Sequence, residues 1–256
     1  MSASRALLCA AAIVASLITV ARAEAPALPG QPGAAEAAMD LGQPVMDNAI
    51  LVHGILNQNE ARINGVDTHY RWSGQGWAGT DYDKLWIKSE GTVKSRKVED
   101  GQDEFLYSRA ITTFFDLQGG LRSDLDSRPT RNWASFGIQG LAPLFFDIEA
   151  TGFVSSQGHL AARLEGSYDL LLTQRLILQP QIELNFYSKS DPAREVGAGL
   201  SEIDTGLRLR YEFSREFAPY IGVVYEGKLG QTANFARASG QSTNDLRFAV
   251  GVRVWF

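Results

Sequence analysis

The sequence predicts an all-β fold, an antiparallel transmembrane β-barrel of about twelve strands with short periplasmic turns and longer extracellular loops. Three observations support this prediction. Apolar and polar residues alternate along most of the chain, and the alternating segments are long enough to cross a bilayer at a tilt. The connections between these segments also alternate between short and long, as they do in outer-membrane barrels.

The composition excludes several other classes of protein. Hydrophobic residues make up 45% of the 256 residues and charged residues 21%, which is typical of a folded chain. Mean hydropathy is −0.13, too low for a protein built from several membrane-spanning helices. The 29 acidic residues outnumber the 24 basic ones, giving a net charge of −5, so no nucleic-acid partner is expected.

Residues 1–23 are predicted to be a secretory signal peptide. Arg5 precedes an apolar run from Leu7 to Val20, and Ala21-Arg22-Ala23 supplies the small residues of a cleavage site after Ala23. The alternative, a buried or membrane-anchoring helix, is disfavoured because the run is too short to span a bilayer. Cys9 lies inside this segment, so the exported chain is expected to lack disulfides and thiolate metal sites.

Residues 24–47 are rich in Ala, Pro and Gly and are predicted to form a flexible periplasmic leader. The barrel is then expected to occupy residues 48–256. Its last segment, Leu246–Phe256, has apolar residues at every even position and carries Arg247 and Arg253 at odd ones. Pro180 interrupts another alternating segment and lacks a backbone donor, so a bulge or a sheet edge is expected there.

The strands are predicted by this alternation and by the turn residues between them. The predicted strands are 49–59, 67–78, 83–95, 102–111, 113–125, 131–141, 144–156, 158–172, 175–188, 201–213, 217–230 and 243–256. Short connections such as Thr173-Gln174 alternate with longer polar ones such as Ser188–Leu200 and Gln231–Ser242. A soluble β-sandwich would also alternate, but its apolar faces are usually interrupted by charges at sheet edges. The clean apolar faces, with aromatic residues near strand ends, favour the barrel.

If the apolar face meets lipid, charged side chains line the lumen. The inward set is predicted to be His69, Arg71, Lys84, Lys88, Glu90, Asp116, Arg122, Asp147, Glu149, His159, Arg163, Glu165, Asp169, Glu183, Glu202, Asp204, Arg208, Arg210, Glu226, Arg247 and Arg253. Side chains of both signs are expected to pair across the lumen and to constrict it.

The chain offers 3 histidines as borderline metal ligands, and His53 and His69 lie on adjacent predicted strands. With Met39 or Met46 close by in sequence, a site for copper is conceivable, although inward histidines more often hydrogen-bond within a polar network. A catalytic alternative pairs Ser155 or Ser156 with His159, as in a membrane-embedded hydrolase. No third residue is identifiable that would orient this pair.

Several long segments have a distinctive sequence, including HGILNQNE from His53 to Glu60, YDLLLTQRLILQPQIEL from Tyr168 to Leu184, GLRLRYEFSREFAPY from Gly206 to Tyr220 and the closing GVRVWF. These segments resemble the outer-membrane copper resistance protein B family. The resemblance extends from about Val45 to the end of the chain. It implies a copper-tolerance component of the Gram-negative outer membrane that works beside a periplasmic multicopper oxidase.

The family resemblance also implies a Met- and His-rich periplasmic segment that binds copper, and this sequence departs from it. The leader contains Met39 and Met46 but no histidine, so the barrel becomes the better candidate for copper binding. The expected ligands are Met46 and His53 at the periplasmic mouth, with His69 next to them.

The sequence thus predicts a non-enzymatic, copper-binding barrel that contacts outer-membrane lipid and binds or moves copper. A phospholipase-like hydrolase and a purely structural barrel are the alternatives.

Overall fold

The computed structural model describes residues 49–95, 97–125 and 130–256, which form one closed antiparallel β-barrel of twelve strands. The strands are β1 (Leu51–Ile63), β2 (Thr68–Gly79), β3 (Asp83–Lys94), β4 (Lys97–Ala110), β5 (Phe115–Asp124), β6 (Asn132–Ala142), β7 (Phe146–Ser155), β8 (Leu160–Tyr168, continued by Leu170–Leu171), β9 (Leu176–Tyr187), β10 (Gly199–Tyr211), β11 (Phe217–Lys228) and β12 (Asn244–Trp255). The predicted signal peptide and leader lie outside the described residues.

The barrel closes where β1 pairs with β12. Ile63 lies opposite Phe248 at one end of this seam and Ile55 opposite Trp255 at the other. Beyond the last paired residues, Gly54 and Phe256 exchange two backbone hydrogen bonds, both of 2.9 Å. This continuous ring of strand pairs confirms the barrel prediction and excludes the two-sheet sandwich.

The two rims of the barrel differ in their connections. The rim that contains Phe256, here called the lower rim, has the short turns 80–82, 111–114, 143–145, 172–175 and 212–216. The upper rim has the longest of the fully described connections, 188–198 and 229–243, together with 64–67 and 156–159. The predicted difference between the rims is present, although some upper connections are short.

Three short helical segments lie in these connections. Two are single 3₁₀ turns, Pro143–Phe145 and Pro192–Arg194, and the third is the helix α1 (Gly230–Ala238). The region of α1 is predicted from the sequence only as part of a long polar connection. Within the described part of the chain, no helix has the length and apolar character needed to cross a membrane.

Pro180 coincides with a break in strand pairing. Its pairing with β10 keeps a constant register, with Pro180 opposite Leu207, so the expected bulge is absent there. On its other side, the ladder with β8 is interrupted between the Gln181–Ser167 pair and the Leu178–Leu170 pair. The missing N–H of Pro180 explains a gap in this ladder rather than a shift or an open edge.

The outer face of the barrel is apolar and the lumen is polar, as the alternation predicts. Large apolar side chains such as Phe105 and Phe136 are exposed on the outside, whereas Glu60 and Arg62 are buried in the lumen. Exposed aromatic residues such as Phe145 and Phe213 follow the lower rim. Some aromatic residues near strand ends point inward instead, since Tyr220 donates a hydrogen bond to Glu60.

Candidate functional site

The lumen contains a network of buried ion pairs. Glu60 is 0% exposed and Arg62 is 1% exposed, and Arg62 Nε lies 2.7 Å from Glu60 Oε1. Arg62 Nη1 also contacts Asp204 Oδ2 at 2.5 Å and Glu226 Oε1 at 2.6 Å. One guanidinium therefore links side chains from β1, β10 and β11. Buried charges of this kind are tolerated because each has a partner of opposite sign.

A chain of hydrogen bonds crosses the lumen from β2 to β10. Arg71 Nε donates to Gln58 Oε1 at 3.0 Å, and Gln58 Nε2 donates to Gln181 Oε1 at 2.8 Å. Arg208 Nη1 donates to the same oxygen of Gln181 at 2.9 Å. Because β1 and β9 are four strands apart in the ring of twelve, these contacts reach across part of the lumen.

Two cavities lie along the lumen, one towards each rim. The lower cavity has a volume of about 460 Å³ and the upper cavity about 720 Å³. Glu90, Gln102 and Arg163 line both cavities. Arg163 donates to Glu90 and, at 3.1 Å, to Gln102 Oε1, while Gln102 donates to Glu90. We call these three residues the waist.

Three carboxylates meet beside the waist. Oxygen atoms of Glu90, Glu165 and Glu183 all lie within 4.8 Å of one another. Arg163 lies 3.6 Å from Glu183 and 3.8 Å from Glu165, and Arg71 lies 3.0 Å from Glu183. The arginines provide the positive charge that permits three carboxylates to lie so close together.

His53 lies on the wall of the lower cavity. Its ring is flanked by Trp77 and Trp255, with centroid distances of 6.1 Å and 5.9 Å. His53 lies opposite Trp77 in the β1–β2 pair, near the start of β1 and therefore at the lower rim. The imidazole therefore lies at the lower mouth of the lumen. Met46 precedes β1 in the sequence and lies outside the described residues.

His69 lies in the upper cavity. Its Nε2 is 3.2 Å from Asp67 Oδ2, and it is paired in register with Arg62. Burial would raise the pKa of Asp67, but hydrogen bonds from Arg247 and His69 outweigh burial and lower it.

The structure does not bring His53 and His69 together. His69 precedes Trp77 by eight residues on β2, a distance of roughly 26 Å along a strand. The two histidines belong to different cavities and cannot bind one ion. His53 and His69 are expected side by side because their strands are neighbours, but neighbouring antiparallel strands begin at opposite rims.

The residues of the proposed hydrolase pair do not form a catalytic contact. Ser155 Oγ accepts a hydrogen bond of 3.1 Å from the backbone N–H of His159, in the turn between β7 and β8. The hydroxyl is thus used to hold the turn.

The predicted inward set omits Glu60 and Arg62, which form the most deeply buried ion pair of the described residues. The register of β1 against β2 shifts between Leu56 and Gln58, so one extra residue changes which parity faces the lumen. His53 and Glu60 consequently both point inward, although one position is odd and the other even. The run of polar residues after Leu56 is the one sequence signal that could have revealed this change.

Closed strand pairing, an apolar outer face and a charged lumen define the class of protein: an outer-membrane β-barrel. One solved structure similar to this chain is described as "NanC porin structure in rhombohedral crystal form", with a TM-score of 0.50 and 12% identity. It aligns over 80% of this chain and 99% of that one. That likeness concerns the fold alone.

The family is identified by sequence. The family described as "Copper resistance protein B precursor (CopB)" matches residues 50–256, and this chain belongs to it. Copper resistance protein B of Escherichia coli is 43% identical over 84% of this chain and 73% of its own length. The Copper resistance protein B homolog of Pseudomonas syringae pv. tomato (strain ATCC BAA-871 / DC3000) is 42% identical over the same shares. These matches confirm the resemblance drawn from the sequence.

Proposed function

We propose that this barrel binds copper at its periplasmic mouth and contributes to copper resistance by moving copper across the outer membrane. The observation that carries the proposal is the position of His53 on the lower cavity wall, near the start of β1. Met46 precedes β1 closely enough to contribute a thioether to the same mouth. Imidazole and thioether groups are ligands that copper accepts in proteins.

The charge of the lower cavity supports a cationic cargo. Among the residues that line this cavity, carboxylates outnumber basic side chains. The acidic ones are Glu90, Glu104, Asp147, Glu149, Glu165 and Asp169, and the basic ones are Lys88, Arg163 and Arg253. An excess of negative charge in a confined cavity raises the local concentration of cations.

A titration of the refolded barrel in detergent tests the ligand assignment, with Cu(I) and Cu(II) added separately. His53→Ala is expected to weaken binding by about tenfold or more. His69→Ala and His159→Ala are matched controls, because both residues line the upper cavity. Unchanged affinity in His53→Ala, or a loss found only in His69→Ala, would contradict the proposal.

One observation supports the alternative of a purely structural barrel. At the waist, hydrogen-bonded side chains lie between the two cavities. Copper accumulation in cells with and without this protein distinguishes the alternatives. A transporting barrel changes the copper content of the periplasm, whereas a structural one leaves it unchanged.

A periplasmic multicopper oxidase is the proposed partner, as membership of the family suggests. If the two proteins work on the same copper pool, deleting both should increase copper sensitivity no more than deleting the one with the larger effect. Additive sensitivity would contradict a shared pathway.

A further inference from the structure

The waist lies where the two cavities meet. Glu90 on β3, Gln102 on β4 and Arg163 on β8 line both cavities and bond to one another. Since β3 and β8 are well separated around the barrel, the Arg163 side chain must reach across the lumen to make these contacts. Among the described residues, side chains and not an inserted backbone segment therefore lie between the two cavities.

Arg163 contacts more side chains in the lumen than Glu90 or Gln102 does. Besides Glu90 and Gln102, its guanidinium donates to Asn185 Oδ1 at 3.1 Å and lies 3.6 Å from Glu183. Removing the Gln102 side chain would break two hydrogen bonds. Removing the Arg163 side chain would break the contacts of β8 with β3 and β4 across the lumen, and also a side-chain contact with its neighbour β9.

We propose that Arg163 is the gate residue of this barrel, and that its displacement opens a cation-selective path between the two cavities. This inference depends on the proposed function only in that the cargo is a cation.

The expected cation selectivity follows from the carboxylates that remain at the waist when Arg163 is displaced. Without its guanidinium, the carboxylates of Glu90, Glu165 and Glu183 face one another within 4.8 Å. Arg71, at 3.0 Å from Glu183 and 3.8 Å from Glu90, offsets only part of their charge. A constriction surrounded by carboxylates favours cations over anions. An arriving cation can also replace the positive charge that Arg163 withdraws, so opening need not leave the carboxylates unneutralised.

Single-channel recording in planar bilayers with potassium chloride tests the gate. The wild-type barrel is expected to stay near the baseline, and Arg163→Ala is expected to raise conductance roughly threefold or more with a reversal potential typical of a cation pore. Arg131→Ala is the matched control, because Arg131 pairs with Asp191 in the upper connections, away from the waist. Heat-dependent electrophoretic mobility confirms that each variant has folded.

A second variant separates opening from selectivity. Adding Glu90→Gln and Glu183→Gln to Arg163→Ala should keep the raised conductance but reduce the preference for cations. Wild-type conductance in Arg163→Ala, anion selectivity in that variant, or a wide-open wild-type pore would overturn the proposal. Because these recordings contain no copper, their result is independent of the His53 titration.

Discussion

Arg208 and Glu60 form a two-point ion pair in the lumen. Arg208 Nε lies 2.9 Å from Glu60 Oε2, and Arg208 Nη2 lies 2.9 Å from Glu60 Oε1. Such parallel contacts match the planar guanidinium to the carboxylate and are among the stronger hydrogen bonds in proteins. Tyr220 donates a further hydrogen bond of 2.9 Å to Glu60 Oε2. Glu60 thus joins β1 to β10 and β11.

Glu60→Gln is expected to lower the free energy of unfolding by about 3 kcal/mol, because Arg62 and Arg208 would lose the charge of their shared partner. Urea unfolding in lipid vesicles, followed by tryptophan fluorescence, measures this change. Glu216→Gln in an exposed lower turn is the control, with a change of less than about 0.5 kcal/mol. Equal midpoints for the two variants would show that Glu60 does not stabilise the barrel.

Gly120→Ala is expected to destabilise the barrel by roughly 1–3 kcal/mol. A Cβ at Gly120 would lie 2.0 Å from the carbonyl oxygen of Phe105 in β4, so the backbone of one strand would have to move. At the neighbouring Gly119, the nearest atom to a Cβ is 3.9 Å away. Gly119→Ala is therefore the matched control, and its unfolding midpoint in urea should equal that of the wild type. If Gly119→Ala were less stable than Gly120→Ala, the described packing of β5 against β4 would be contradicted.

Phe136→Arg tests the lipid-facing register. Phe136 is 65% exposed near the middle of β6, where a charge would meet hydrocarbon. Folding into vesicles is expected to become less favourable by about 2–4 kcal/mol. Phe145→Arg, at a residue 74% exposed in a lower turn, should cost about 1 kcal/mol or less. Similar costs at both positions would mean that β6 does not cross the bilayer as described.

Asp191 provides a pH-dependent contact between two upper connections. Burial would raise its pKa, but the hydrogen bond from Arg131 at 2.8 Å and the charges of Arg131 and Arg194 outweigh burial and lower it. Because the folded-state pKa is below the ordinary value of about 3.9, the contact stabilises the connection above that pH. The stabilisation is lost as pH falls through the lowered value.

Amide hydrogen exchange in residues 188–198 measures this loss. Protection should decrease at acidic pH in the wild type, and Asp191→Asn should already lack that protection at neutral pH. Asp81→Asn, in an exposed lower turn, should behave as the wild type. Protection that does not change with pH in the wild type would refute the assignment.

The strands could be predicted from the sequence because lipid on one side and ion pairs on the other impose a strict alternation. Irregular backbone could not be predicted in this way. The bulge after Leu56 adds one residue to β1, so the alternation of inward and outward side chains changes parity there. The inward positions of Glu60 and Arg62 could therefore not be predicted from the alternation alone. The helix α1 was also missed, because its short, polar sequence resembles a loop.

The candidate site was predicted only in part. His53 does lie at the lower mouth of the lumen, but His69 lies in the other cavity because antiparallel strands run in opposite directions. The waist could not be recognised from the sequence. Glu90, Gln102 and Arg163 are far apart along the chain, and their contact depends on how the barrel closes.

The β1–β12 seam also constrains how this protein reaches its membrane. Every partly assembled form that lacks β12 has two unpaired strand edges, and such edges readily pair with other polypeptides. Both edges therefore remain open to non-native pairing until β12 docks against β1.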